Sequence, residues 1–180
     1  MNEMKTIHNI LAATLLLFSG LQASAQTDAA TTKRMIEDRN FVFQATSAMP
    51  LANADINRVM SQMSGAMGGG MINLTGSQYD LKVSKDSVEA YLPYYGRAYT
   101  SSMDPSESGI KFKSKDFNYN SSERKKGGWT ITIRPKDTKD MQNMTLSVFK
   151  DGYATLSITN NNRQAISFNG LLAEPKEKKK

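Results

Sequence analysis

The stretch "MTLSVFKDGYATLSI", Met144 to Ile158, decides how the chain folds. Met144, Leu146 and Val148 alternate with Thr145 and Ser147, and after a short break Ala154, Leu156 and Ile158 alternate with Thr155 and Ser157. A period of two turns one face of each segment to a core and the other to water, which defines two strands. Between them, Asp151-Gly152 supplies the positive backbone angles that a primed turn requires, so the pair reads as a hairpin.

The same period extends in both directions. Upstream, Trp129, Ile131 and Ile133 alternate with Thr130, Thr132 and Arg134 until Pro135 closes the segment. Downstream, Asn160-Asn161-Asn162 makes a turn, and Ile166 with Phe168 ends the sheet before Gly170. Nearer the start, Phe41, Phe43 and Ala45 share one face, and Ile72-Asn73-Leu74 is a short strand. Tyr79, Leu81 and Val83 face Val88, Ala90 and Leu92 across Ser84-Lys85-Asp86-Ser87, the spacing of a tight hairpin. Ile110 and Phe112 alternate with lysines, but Phe117 and Tyr119 fall on the lysine parity, so a bulge is expected within Ser114 to Asp116. About eight to nine short strands at this spacing, with one short helix near Lys33 to Asn40, predict an all-β domain, an antiparallel barrel or sandwich.

Before this pattern lies an address. Lys5, an apolar run from Ile10 to Phe18, Gly20 and then Ala23-Ser24-Ala25 form a secretory signal peptide with cleavage expected between Ala25 and Gln26. The run is shorter than the roughly 20 residues of a spanning helix, so no transmembrane segment is expected after cleavage. The division is therefore 1–25 signal peptide, 26–172 a single all-β domain, and 173–180 a disordered lysine-rich tail. The destination is periplasmic or secreted. The chain carries a formal charge of +6, partly in that tail, and nucleic acid is not an expected partner of an exported chain.

Absences restrict the chemistry. The chain has no cysteine, and its single histidine, His8, lies in the signal peptide. Cys- and His-based zinc sites, Cys-His pairs and Ser-His-Asp arrangements are excluded from the mature part. The domain is expected not to be an enzyme, and no cofactor or metal is assigned. The alternative is a carboxylate-based hydrolase of envelope carbohydrate using a pair such as Glu89 and Asp116. Met60, Met63, Met67 and Met71 have helical spacing, open to two readings: a thioether site for copper(I), or an insertion whose methionines cover an opening in the core. Ser121 to Gly128 carries Arg124, Lys125 and Lys126 in a hairpin loop whose charges are expected to stay in water.

The stretch "YLPYYGRAY", Tyr91 to Tyr99, packs four tyrosines and an arginine into nine positions. Parity sends Tyr94 toward the core and Tyr91, Tyr95, Arg97 and Tyr99 to the other face, while Pro93 and Gly96 favour a change of direction. Tyr91, Tyr94, Tyr95, Arg97 and Tyr99 are the candidate ligand-binding residues, since tyrosine offers rigid contact area and arginine a fork for carboxylate or phosphate. A small apolar or glycan-like ligand or an envelope protein would be the partner. A corner of the fold is the competing role, and Arg97's partner would separate the two.

With "YDLKVSKDSVEA", "GIKFKSKDFNY", "WTITI" and "GYATLSITNNNRQAISFNG", this stretch resembles an uncharacterised family of exported Bacteroidetes proteins marked by a Gly-Arg-Ala-Tyr motif, domain of unknown function 4251. The resemblance runs from about Lys33 to Leu171 and implies a single periplasmic or secreted domain behind a signal peptide. It brings no activity and no catalytic residues.

Overall fold

The two-residue period becomes one antiparallel sheet in the computed structural model, which describes residues 27–50, 66–67, 71–96, 98–99, 109–138 and 142–175. One helix, α1 (Ala29–Glu37), precedes the strands β1 (Phe41–Pro50), β2 (Ala66–Met67), β3 (Met71–Asn73), β4 (Asp80–Val83), β5 (Val88–Leu92) and β6 (Ile110–Ser114). They are followed by β7 (Phe117–Glu123), β8 (Trp129–Pro135), β9 (Asn143–Val148), β10 (Tyr153–Thr159) and β11 (Ile166–Ala173). The strand order is β6-β5-β4-β1-β11-β10-β9-β8-β7, with β3 added to β1 and β2 to β3.

The two ends of that order, β6 and β7, are neighbours in sequence. Only Lys115 and Asp116 separate them, yet β6 pairs with β5 and β7 with β8. A chain that crosses from one edge of a sheet to the other in two residues forces the sheet to roll up, and the result is a nearly closed barrel. The parity break expected here is this change of partners. The Ser114 hydroxyl, with the Lys115 and Asp116 amides, holds the Asp137 carboxyl below the usual carboxylate range and fixes the link.

Inside, the alternate residues read from sequence meet as expected. Phe41, Phe43, Leu81, Val88, Ile131, Ile133, Met144, Leu146, Val148, Leu156 and Phe168 are fully buried. Their apolar burial is the main favourable term in folding a chain with no disulfide to cross-link it. Sequence parity fails at two places along the β1–β11 pair. β1 shifts register between Ala45 and Ser47, so the core series moves from the odd positions to Ala48 opposite Phe168, while Ser47 opposite Asn169 is buried beside β3. β11 runs on through Gly170 to Ala173 instead of ending before the glycine, because Gly170 pairs with Ala45 where only a hydrogen fits.

Helix α1 begins four residues before Lys33, since Asp28 caps it by accepting from the Ala30 and Thr31 amides, each at 2.9 Å. It ends where Arg39 takes a positive φ of 51° and the Asn40 amide returns to the Met35 carbonyl at 3.0 Å. Met35 and Ile36 are buried in the core cluster. The Tyr119 hydroxyl donates to the Ile36 carbonyl at 3.2 Å, and the Arg39 guanidinium lies 4.8 Å from the Tyr119 ring centre. Burial pushes the Tyr119 hydroxyl up to about 12, against the pull of Arg39 and Ser121.

The sign follows from linkage. A folded value above the ordinary 10 means that the native state keeps its proton longer, so the stabilisation is complete below pH 10 and lost as pH rises toward 12. Urea midpoints measured from pH 9 to 12 are expected to fall through this window, and in Tyr119→Phe the fall is shallower. An equal alkaline fall in both proteins would show that Tyr119 is not the source.

Three segments differ from their expected form. In the β9–β10 hairpin Gly152 alone is left-handed, at φ 81°, with its amide 3.1 Å from the Phe149 carbonyl, which is a turn followed by a glycine bulge rather than a primed turn. In the β7–β8 hairpin Arg124 is not left in water. It donates to the Val148 carbonyl at 2.7 Å and lies 4.9 Å over the Phe149 ring. Met67 pairs with Met71 across β2 and β3, so this end of the methionine segment is strand rather than helix, while Met60 and Met63 lie outside the described residues. Ala173 still belongs to β11, and Glu174 pairs with Arg34 of α1.

Candidate functional site

The tyrosine stretch separates into two groups. Tyr91 stands on the outer face of β5, 47% exposed, stacked on Tyr79 at 5.7 Å with the Lys111 ammonium 5.2 Å from its ring centre. Tyr95 packs against the core cluster, and burial, with Tyr79 adding to it, raises its hydroxyl above the ordinary range. Tyr94 turns the other way. Its hydroxyl donates to the Gln164 carbonyl at 2.9 Å, and Arg163 lies 5.2 Å over its ring. Burial raises the Tyr94 hydroxyl despite the Arg163 charge. Tyr99 is 68% exposed, but its amide donates to the Asn162 carbonyl at 2.8 Å beside a bridge between Ala98 and Arg163. Arg97 lies outside the described residues.

These contacts converge on one loop. Tyr94, Ala98 and Tyr99 hold residues 162–164, while Asn160 turns the same loop by accepting from the Asn162 and Arg163 amides at 2.9 and 2.6 Å. Arg163 extends the bracing to the Gly109 carbonyl at 3.0 Å. The Pro93 and Gly96 corner therefore supports the β10–β11 connection, with Tyr94 and Tyr99 holding that loop and Tyr91 on the outer face of β5.

The loop so braced forms part of a groove. Asn118, Arg134, Pro135, Lys136, Gln142, Asn143, Thr159, Asn160 and Asn161 line a space of about 570 Å³ at one end of β7 to β10. Among the described residues its wall contains four asparagines and a glutamine but no Asp or Glu. Gln142 is only 8% exposed, and its Oε1 has no hydrogen-bond partner among the described residues. The Arg134 Nε donates to the Asn143 Oδ1 at 3.0 Å, and Lys136 pairs with Asp116 at 3.1 Å.

The groove continues a patterned outer face. Pairing aligns Ser122, Thr130, Ser147, Thr155 and Asn169 in one row across β7 to β11. Asn120, Thr132, Thr145, Ser157 and Ser167 form the next. Both rows consist of hydroxyls and amides without a charge, and some bond to each other, as Thr155 to Asn169 and Ser157 to Ser167 at 3.0 Å. The sequence shows the hydroxyls at outward positions of each strand. Their alignment into rows exists only once the register is known.

The suggested carboxylates are placed as surface ion pairs, Glu89 with Lys113 at 3.6 Å and Asp116 with Lys136. Among the described residues no group of three or more His, Cys, Asp or Glu could hold a metal. No helix among them is long and apolar enough to cross a membrane.

Residues 23–172 match the model of a family described as a domain of unknown function, DUF4251. The chain belongs to the DUF4251 family. A crystal structure of a DUF4251 protein from Bacteroides eggerthii DSM 20697, at 1.95 Å resolution, is similar with a TM-score of 0.53 at 13% identity. The likeness covers 81% of this chain and 87% of that one, and it concerns the fold. A comparison with curated proteins finds no match.

Proposed function

We propose that this DUF4251 chain is an exported, non-catalytic binding domain of the cell envelope that takes a saccharide in the amide-lined groove. The single observation behind the reading is Gln142, nine-tenths buried in the groove wall with its carbonyl oxygen unpartnered. A buried polar atom without a partner costs free energy, and a ligand hydroxyl would satisfy it. The surrounding asparagines and Thr159 offer both donors and acceptors, as saccharide hydroxyls need. The signal sequence and the neutral hydroxyl rows suit a hydroxyl-rich ligand outside the cytoplasm. Among the described residues no carboxylate lines the groove, which supports binding over acid-base chemistry.

Gln142→Leu separates binding from folding. Relief of the unpartnered oxygen is expected to raise the unfolding free energy by about 1 kcal/mol, while saccharide binding followed by NMR titration of the groove amides is lost. Binding that survives in Gln142→Leu would reject the groove as the site.

A further inference from the structure

Resting on the saccharide reading, we infer that the ligand is an acidic saccharide whose carboxylate is held by Arg134. The groove wall has two cations among the described residues, Arg134 and Lys136, and they differ. Lys136 is matched by Asp116 at 3.1 Å. Arg134 has no carboxylate partner among the described residues, and the Asn143 amide oxygen takes its Nε at 3.0 Å. That contact orients the guanidinium while leaving the two terminal nitrogens as a planar fork, the geometry that accepts a carboxylate through two parallel hydrogen bonds.

The setting of the fork favours a sugar acid over a bare anion. Asn118 lies opposite Arg134 across the β7–β8 ladder, and Thr159 opposite Asn143 across β9–β10. The fork is thus flanked by amide and hydroxyl groups, with Gln142, Asn160 and Asn161 in the same wall. A saccharide ring whose carboxylate reaches Arg134 places its hydroxyls within this amide-lined wall. A small inorganic anion meets the same charge but uses none of these groups. Tyr91 and Lys111 are not among its lining residues and are occupied with each other, Tyr91 also with Tyr79.

The test is isothermal titration of the mature chain with three probes: a glucuronate-containing disaccharide, cellobiose as its neutral counterpart, and inorganic phosphate. The acidic disaccharide is expected to bind about tenfold or more tighter than cellobiose at low salt, the difference shrinking as salt is added. Arg134→Gln is expected to abolish that preference, the two disaccharides then binding alike, and Arg134→Lys to restore only part of it, because an ammonium is a point charge without the fork.

Equal binding of the two disaccharides by the wild type would overturn the carboxylate inference while the saccharide reading stands. Failure of both to bind would overturn the saccharide reading and this inference with it. Phosphate binding as tightly as the acidic disaccharide would also overturn the inference, by showing an anion site without sugar recognition. Arg134 is exposed on β8, so the variants are expected to fold; matching urea midpoints establish this.

Discussion

Gly170→Ala is expected to lower the unfolding free energy of the domain by about 3 kcal/mol or more, read from urea denaturation with the buried Trp129 as the fluorescent probe. Gly170 has an ordinary backbone angle, so the effect is steric. A Cβ here would overlap the Gln44 carbonyl oxygen and lie 2.9 Å from both the Gln44 carbonyl carbon and Cε2 of Phe43. The obstructing atoms are backbone in the neighbouring strand, and they cannot swing aside as a side chain can. The register shift of β1 between Ala45 and Ser47 lies at this contact, since Gly170 pairs with Ala45. Relief would require parting β1 from β11, the pair that joins the β4–β6 part of the barrel to the β7–β10 part. Gly76→Ala is the control. A Cβ there meets nothing within 4 Å, so only its positive φ of 87° opposes alanine, at about 1 kcal/mol. Similar losses in the two variants would show that the β1–β11 approach is not the cause.

Gly170 also shows why some of the fold was legible and some was not. The strands from Trp129 to Ile158 were readable because each buries one face, and burial imposes the period directly. In β11 the period continues through Gly170 and Leu172, but a glycine in sequence looks like a stop. Only the neighbouring strand reveals that it is a close approach. The bulge in β1 is hidden similarly, because Ser47 and Ala48 carry no sign of the register they adopt. The barrel was one of two expected architectures, and what selects it is the passage from β6 to β7 through Lys115 and Asp116, visible in sequence only as a break in parity.

The candidate site was less legible, for a physical reason. Tyrosines draw attention by their size, yet Tyr94 holds the Gln164 carbonyl and Tyr91 is stacked on Tyr79. The groove is built instead from asparagines, a glutamine and a threonine, which individually read as turn and outward-face residues. Their signal lies in pairing: Asn118 beside Arg134, and Asn143 beside Thr159. Gln142 has no local mark, since its importance comes from burial and from an oxygen that no neighbour satisfies. The tyrosine stretch and the groove are nevertheless connected. Tyr94, Ala98 and Tyr99 brace the loop that carries Asn160 and Asn161 into the wall.

Phe43→Ala is expected to cost about 3 to 5 kcal/mol in the same urea measurement, the range for removing a fully buried aromatic ring. Phe43 is 0% exposed and pairs with Leu81 of β4 on one side and Leu172 of β11 on the other, so its ring fills the core where the two parts of the barrel meet. Truncation leaves a cavity that cannot collapse without shifting three hydrogen-bonded strands. The same ring tests the explanation given for Gly170. Phe43→Leu removes ring atoms near the missing Cβ but leaves the Gln44 carbonyl in place. If the carbonyl dominates, the Phe43→Leu/Gly170→Ala double variant gains little over Gly170→Ala alone, and the coupling stays below about 1 kcal/mol. Recovery of most of the lost stability would instead make the ring the obstacle and leave β1 and β11 free to approach. The interior is therefore expected to tolerate neither the loss of this ring nor an added methyl at Gly170. A barrel filled in this way has its open space outside the core, in the groove lined by Arg134 and Gln142 at one end of β7 to β10.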